Sequence, residues 1–174
     1  MTMSNTTLTE RFWQWLARQL SRRVVFDFLF AIARRSPYKH IFDKEFRLYM
    51  GRWWVLKERA WFPWAARLHH ITRPDNERHL HDHPYDFRTL ILQGAYDEVD
   101  IFGNYVPRQS GTSYARRAHE YHRIVAMGAV SGAWTLFIYR HRKVSNPWGF
   151  LVDNDPTGVR KVHWREYLNE PKQD

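Results

Sequence analysis

His79-Leu80-His81-Asp82-His83-Pro84-Tyr85-Asp86-Phe87 decides how this chain is read; it runs on through Arg88-Thr89-Leu90-Ile91-Leu92-Gln93 and stops at Gly94. Three histidines stand at alternate positions. Side chains alternate across an extended backbone, so His81 and His83 project from one face if the segment is a strand. Two imidazoles placed this way can hold one metal ion. A third ligand must come from elsewhere, and the best candidate is His122 in Arg116-Arg117-Ala118-His119-Glu120-Tyr121-His122-Arg123-Ile124.

The sequence around this stretch reads as strands. Arg67 to Thr72 is short and ends at the turn signal Pro74-Asp75-Asn76. Phe87 to Gln93 is rich in Thr, Leu and Ile. Tyr96 to Phe102 follows, with a hairpin turn at Gly103-Asn104, then Tyr121 to Met127, Trp134 to Tyr139 and Trp148 to Val152. Short strands at nearly regular spacing, broken by glycines, predict an all-β sandwich or barrel. Val162 to Leu168 fits either a helix or a strand.

Upstream, Leu8 to Arg35 reads as a helix with Thr7 or Thr9 as its cap. Phe12, Leu16 and Leu20 recur every four residues, and Val25, Phe28, Leu29 and Ile32 continue an apolar face. Six arginines supply the polar side. Such a helix with Trp13 and Trp15 suits an anionic membrane surface, but packing across the barrel or in a dimer interface is the plainer expectation. Pro37 closes the segment. The division expected is therefore a helical segment over 1–40 and one barrel domain over 41–174. Residues 41–66 are dense in aromatics interleaved with Arg47, Arg52, Lys57 and Arg59, a mixture that also occurs where bases stack and phosphates are held. No nucleic-acid module is recognisable, and core or interface packing is the plainer reading.

With 174 residues the chain is long enough for one domain with a real core. It has no cysteine, which excludes disulfides, thiolate metal sites and cysteine nucleophiles. Its net charge of +9 favours anionic partners, whether nucleic acid, a membrane surface or a small acid. No secretory signal is visible at the start. The longest apolar run, Val24 to Ala33, is broken by Asp27 and falls short of the roughly 20 residues a membrane-spanning helix needs. The default expectation is a cytoplasmic protein.

The segments HLHDHPYDFRTLILQGAYDE and RRAHEYHRI together resemble the two motifs of a cupin. His81 and His83 match the paired histidines of the first motif, Gly94 its terminal glycine, and His122 the histidine of the second. The chain is also similar to small uncharacterised cupin-like proteins of bacteriophages and bacteria, through HDHPYDF, HRI and Trp148-Gly149-Phe150. The likeness covers roughly residues 48–168. It implies a mainly β fold, the double-stranded β-helix or jelly-roll barrel, here with an N-terminal helical segment. It implies little about the reaction, because this barrel hosts many functions.

One position departs from the pattern. The place where cupins usually carry a glutamate ligand holds Phe87, with Asp86 one residue away. A one-residue slip turns a side chain to the other face unless a bulge restores it. The resemblance therefore implies either three histidine ligands or those three plus Asp86, with Asp86 otherwise orienting an imidazole. His79 shares parity with His81 and His83, and His119 could reach the site from a loop. His69 or His70 must point inward on the preceding strand. Arg67, Arg123, His69 and Tyr96 are candidates for contacting a substrate. Arg88 alternates with Phe87 and reads as exterior. Tyr85, Tyr96, Tyr121 and Tyr139 are candidate proton donors.

Three unpaired imidazoles converging in an apolar barrel would be costly, and one divalent ion would partner all three. Neutral nitrogen ligands suit iron, zinc, nickel, copper or manganese. Among cupins, iron would imply a mononuclear non-haem dioxygenase acting on a small anionic substrate, and zinc would favour hydrolysis or isomerisation. A non-catalytic ligand-binding or interaction barrel, phage accessory proteins included, is the alternative. Cupins often pair through their sheets, so a homodimer is implied.

Overall fold

The computed structural model describes residues 7–43, 45–141, 147–154 and 158–169. Two helices come first. Helix α1 (Leu8–Leu20) is capped by Thr7, whose hydroxyl accepts from the Glu10 amide at 3.3 Å. The single helix expected from periodicity is broken in two, because Arg22 is extended (φ −62°, ψ 130°) ahead of α2 (Arg23–Ala33).

Twelve strands follow among the described residues, in two antiparallel sheets. The first sheet has the order β1-β2-β3-β10-β5-β8. Its strands are β1 (Ile41–Phe42), β2 (Leu48–Leu56), β3 (Trp64–Ile71), β10 (Ala133–Arg140), β5 (Phe87–Gln93) and β8 (Ser113–Arg116). The second has the order β12-β11-β4-β9-β6-β7. Its strands are β12 (Gly158–His163), β11 (Gly149–Asn154), β4 (Leu80–His81), β9 (His122–Met127), β6 (Ala95–Asp100) and β7 (Tyr105–Gln109). The ambiguous C-terminal stretch is both things in turn: strand β12, then helix α3 (Trp164–Asn169).

Strand parity assigns each residue of the first sheet to one of two cores. Ala66, Leu68, Leu90, Leu92 and Leu136 face outward and meet Ala17, Phe26 and Ala33 of the helices, with Trp13, Leu16, Leu29 and Phe30 packed around them. Arg88 is also on this outer face. It is held by Glu10 of α1 (Nη1–Oε2 2.9 Å), so it anchors the helix instead of meeting solvent. His70 stacks on Trp134 there, with rings 4.1 Å apart. The intervening residues of the same strands, Arg67, His69, Ile71, Phe87, Thr89, Thr135 and Phe137, face inward and line a cavity of about 1360 Å³ between the sheets. The helices are apolar on two sides: Leu8, Phe12, Trp15, Val24, Phe28 and Ile32 remain exposed on the face turned from the sheet. No helix among the described residues is long and apolar enough to cross a membrane.

Candidate metal centre

The site is built on β4 and β9. His81 and His122 are direct cross-strand partners, so their side chains leave the sheet on one face as neighbours. Their rings are 4.8 Å apart. Strand β4 ends at His81, yet His83 still points to the same side, its ring 5.2 Å from that of His81. What holds the alternation beyond the strand is Asp82. Its fully buried carboxylate turns the other way, accepting from the Gly149 amide at 2.7 Å and from Lys161 Nζ at 2.6 Å. The Asp82 amide donates to the Gly149 carbonyl in return. Gly149 is needed at that approach, since a Cβ there would sit 2.0 Å from the Val162 carbonyl oxygen. The Trp148-Gly149-Phe150 element thus serves to clamp the histidine segment, and Phe150 pairs directly with His81.

One ligand atom from each of His81, His83 and His122 can be chosen so that all lie within 4.8 Å of one another. His83 Nε2 and His122 Nε2 are 2.9 Å apart. On the far side of its ring, His122 Nδ1 stands 3.2 Å from Glu98 Oε1. An ionised carboxylate only accepts, so His122 Nδ1 carries a proton, and Nε2, which faces His83, is the atom through which the neutral ring would bind a metal. This is the arrangement by which a carboxylate orients a metal-binding imidazole. His81 has a longer counterpart, with Nδ1 3.7 Å from Asp75 Oδ2. Two nitrogens at a right angle, each roughly 2.0–2.1 Å from one ion, stand about 2.9 Å apart, so the His83–His122 pair fits a divalent metal. Imidazoles must be neutral to bind one. Burial pushes His81 down to about 4, against the pull of Asp75, and pushes His83 well below its ordinary value, with His122 and His81 adding to it.

Glu98 is the site residue the motif comparison does not supply. It is 1% exposed on β6 and one strand over from His122. Its carboxylate accepts from Arg116 (2.8 Å), Arg108 (3.0 Å) and the Tyr114 hydroxyl (2.8 Å) in addition to His122. Burial opposes its ionisation, but His122, Arg116 and Arg108 outweigh it and hold it well below the usual glutamate range. Its parity with Tyr96 on one alternating strand was the available signal. Tyr96 faces the cavity and its hydroxyl is 2.9 Å from that of Tyr114, linking it to Glu98.

The other candidates are placed differently. Asp86 stays apart from the three histidines: it is exposed and its Oδ1 accepts from the Ala118 amide at 2.9 Å, because no bulge turns it inward. Phe87 takes the inward position beside His83, rings 4.7 Å apart. His79 lines the cavity but pairs with the Tyr167 hydroxyl at 2.9 Å. His119 is exposed in a turn. Arg123 alternates with the inward His122 and Ile124, and donates to the Glu77 carbonyl. His69 and Arg67 face the cavity from β3. Tyr139 donates to Glu58 with Tyr85 against its ring, whereas Tyr121 lies beside Asp82.

Two sheets with this strand order, closed on an inward histidine cluster, define a cupin-type barrel. The chain has the cupin fold, and the comparisons with solved structures agree. A DMSP lyase matches over 76% of this chain and 75% of its own, with TM-score 0.55 and 12% identity. A cupin 2 conserved barrel protein from Rhodopseudomonas palustris matches over 69% and 78%, with TM-score 0.51 and 12% identity. The iron(II) protein HppE matches over 60% and 57%, with TM-score 0.50 and 9% identity. No family model matches the chain, and no curated protein does.

Proposed function

We propose that the chain is a mononuclear metal enzyme of the cupin fold, with His81, His83 and His122 as ligands and a small anionic molecule as substrate. The observation that carries this reading is the ordered pair at the cavity wall: Glu98 fixes the proton on His122 Nδ1, and Nε2 is left 2.9 Å from His83 Nε2. Three neutral ligands would leave a bound divalent ion its full charge, which suits an anionic substrate. Iron(II) is the favoured ion, which would supply oxygen-dependent redox chemistry. A protein of this fold, HppE, holds iron(II).

The chain's own groups have separate tasks. Glu98 and Asp75 orient His122 and His81. Phe87, Phe137 and Ile71 give the cavity apolar walls that exclude water. Tyr96 is held protonated, since burial and then the neighbouring Tyr114 and Glu98 push its phenol well above the ordinary value. It is therefore a proton donor and not a base. That favours, as a second reading, a redox-neutral lyase or isomerase in which Tyr96 protonates a developing anion.

The test is elemental analysis of untagged protein purified without oxygen, beside His81→Ala, His83→Ala and His122→Ala. About one equivalent of iron, lost in each variant while the fold persists, is the expected result. Metal retained when all three are replaced would sink the site. Zinc or nickel in its place, with no oxygen uptake on any turnover, would move the assignment to the redox-neutral reading.

A further inference from the structure

We infer that the part of the cavity walled by β2 and β3 is an oxyanion subsite, in which Arg67, Arg52 and His69 receive the carboxylate or phosphate group of the ligand. The inference rests on the proposed metal centre for what happens at the ligand's other end, but not for the anion site itself.

Three donors come to one patch because of register. Arg52 and His69 are direct partners across β2 and β3, and Arg67 is two residues from His69 on the same face. All three line the cavity. Arg67 is 8% exposed, yet its Nε has no hydrogen-bond partner; His69, also 8% exposed, leaves Nε2 without one. No carboxylate of the described residues forms an ion pair with either arginine. The Glu58 carboxylate accepts from the Tyr139 hydroxyl and makes no ion pair with Arg67.

Aromatic rings hold the guanidinium of Arg67 in place. Its central carbon is 4.5 Å from the Tyr139 ring centre, 4.8 Å from Tyr38 and 5.7 Å from Phe137. The guanidinium carbon of Arg52 is 4.7 Å from the same Tyr38 ring, and its Nε donates to the Lys39 carbonyl at 2.6 Å. Two like charges thus share one phenol ring in a partly closed cavity. Burial, then the charge of Arg67, pushes Arg52 down to about 10. A buried guanidinium without a counter-charge is costly, and a second one beside it adds repulsion. A bound oxyanion removes both costs and can engage a guanidinium fork with two parallel hydrogen bonds. Phe137 lies 5.7 Å from the Arg67 guanidinium and 6.2 Å from the His83 ring, so the subsite and the histidines are no more than about 12 Å apart. A short acid or phosphate ester spans that gap.

The experiment titrates orthophosphate and, separately, succinate into the full chain at constant ionic strength, with and without metal, by calorimetry. One equivalent of anion should bind the metal-free protein. Affinity should fall at least tenfold in Arg67→Met and Arg52→Gln, and Arg67→Lys should lie between, keeping charge but losing the fork. Metal-free Arg67→Met should melt no lower than the parent, since it removes an uncompensated charge; a purely structural cation would instead leave it less stable. His83→Ala should keep anion binding. Tighter phosphate identifies a phosphate ester, and tighter succinate a carboxylic acid. Absence of binding by the folded parent, or binding unchanged in Arg67→Met, overturns the subsite. Anion binding in a protein that takes up no metal would overturn the metal centre alone.

Discussion

Replacing Glu98 with glutamine tests the electrostatic support of the histidine cluster. The substitution keeps the side-chain shape but removes the charge to which Arg108, Arg116, Tyr114 and His122 all donate. The Arg116 side chain is 9% exposed and that of His122 is 7%, so neither can turn to water for compensation. Removing one member of a buried ionic group costs about 3–5 kcal/mol, chiefly because the remaining charge is left unpaired. For a domain of this size that corresponds to a drop in melting temperature of roughly 6–20 °C. A second effect falls on the metal. Without the carboxylate, His122 loses what fixes its tautomer, and such losses weaken metal affinity about 10–100-fold. Thermal unfolding of the metal-free protein measures the first effect, and competition with a chelator indicator measures the second. A melting temperature within 2 °C of the parent, together with affinity unchanged within threefold, would refute the view that Glu98 organises the site.

Other perturbations separate neighbouring roles. Asp86→Asn should leave metal stoichiometry and affinity unchanged by elemental analysis and competition, whereas Asp75→Asn, behind His81, should weaken binding. Gly94→Ala should cost more than the roughly 1–2 kcal/mol of left-handed backbone. The reason is that Gly94 has φ 71° and a Cβ would fall 2.2 Å from the Gly132 carbonyl oxygen; a urea midpoint within error of the parent would contradict this. Acid should loosen helix α1. The hydrogen bond from Arg88 holds the Glu10 carboxyl below its ordinary value of 4.5, so that stabilisation is present above pH 4.5 and is lost as pH falls through the folded value. Trp13 lies 5.1 Å from the Arg88 guanidinium. Its region should therefore gain hydrogen exchange on acidification in the parent and show no such step in Glu10→Gln.

How much of this was legible in the sequence depends on how local each cause is. The parity of His81 and His83 follows from backbone alternation, and the pairing with His122 from the motif spacing. Parity also separates Arg67 and His69 from Leu68 on β3, and turns Arg88 outward. Asp86 entered as an alternative because it is adjacent in sequence to the position a carboxylate usually fills, and the fold sets it apart from the three histidines. The carboxylate that orients His122 comes instead from residue 98, in a Tyr-Asp-Glu-Val run with the appearance of an ordinary strand. Parity with Tyr96 separates Glu98 from Asp97, but only the β6–β9 pairing, which sets Glu98 opposite Ile124, brings it within reach of His122. Asp82 was hidden for the opposite reason. It lies between two histidines and invites a ligand reading, yet its carboxylate faces Gly149 and Lys161 on another strand. The single long helix expected at the start failed at Ser21-Arg22, where the apolar periodicity carries across a real break.

The same logic explains why basic composition alone said little about partners. Arg88 is spent on docking α1, and Arg108 and Arg116 on Glu98. These cations are internal to the fold and add nothing to the attraction of an external anion. Arg67 and Arg52 differ because their neighbours are rings and a backbone carbonyl, not carboxylates. Aromatic faces hold a guanidinium in position without neutralising it, so the positive potential survives inside the barrel, where the low dielectric strengthens it. With neutral histidines facing the same cavity, a divalent ion would add charge of the same sign. Together, on the proposed reading, they would select an anion with oxygen atoms at both ends, one for the arginines and one for a metal held by the histidines. Butyrate, a carboxylate of the same chain length with one charged end, should accordingly bind the metal-loaded protein more weakly than succinate does.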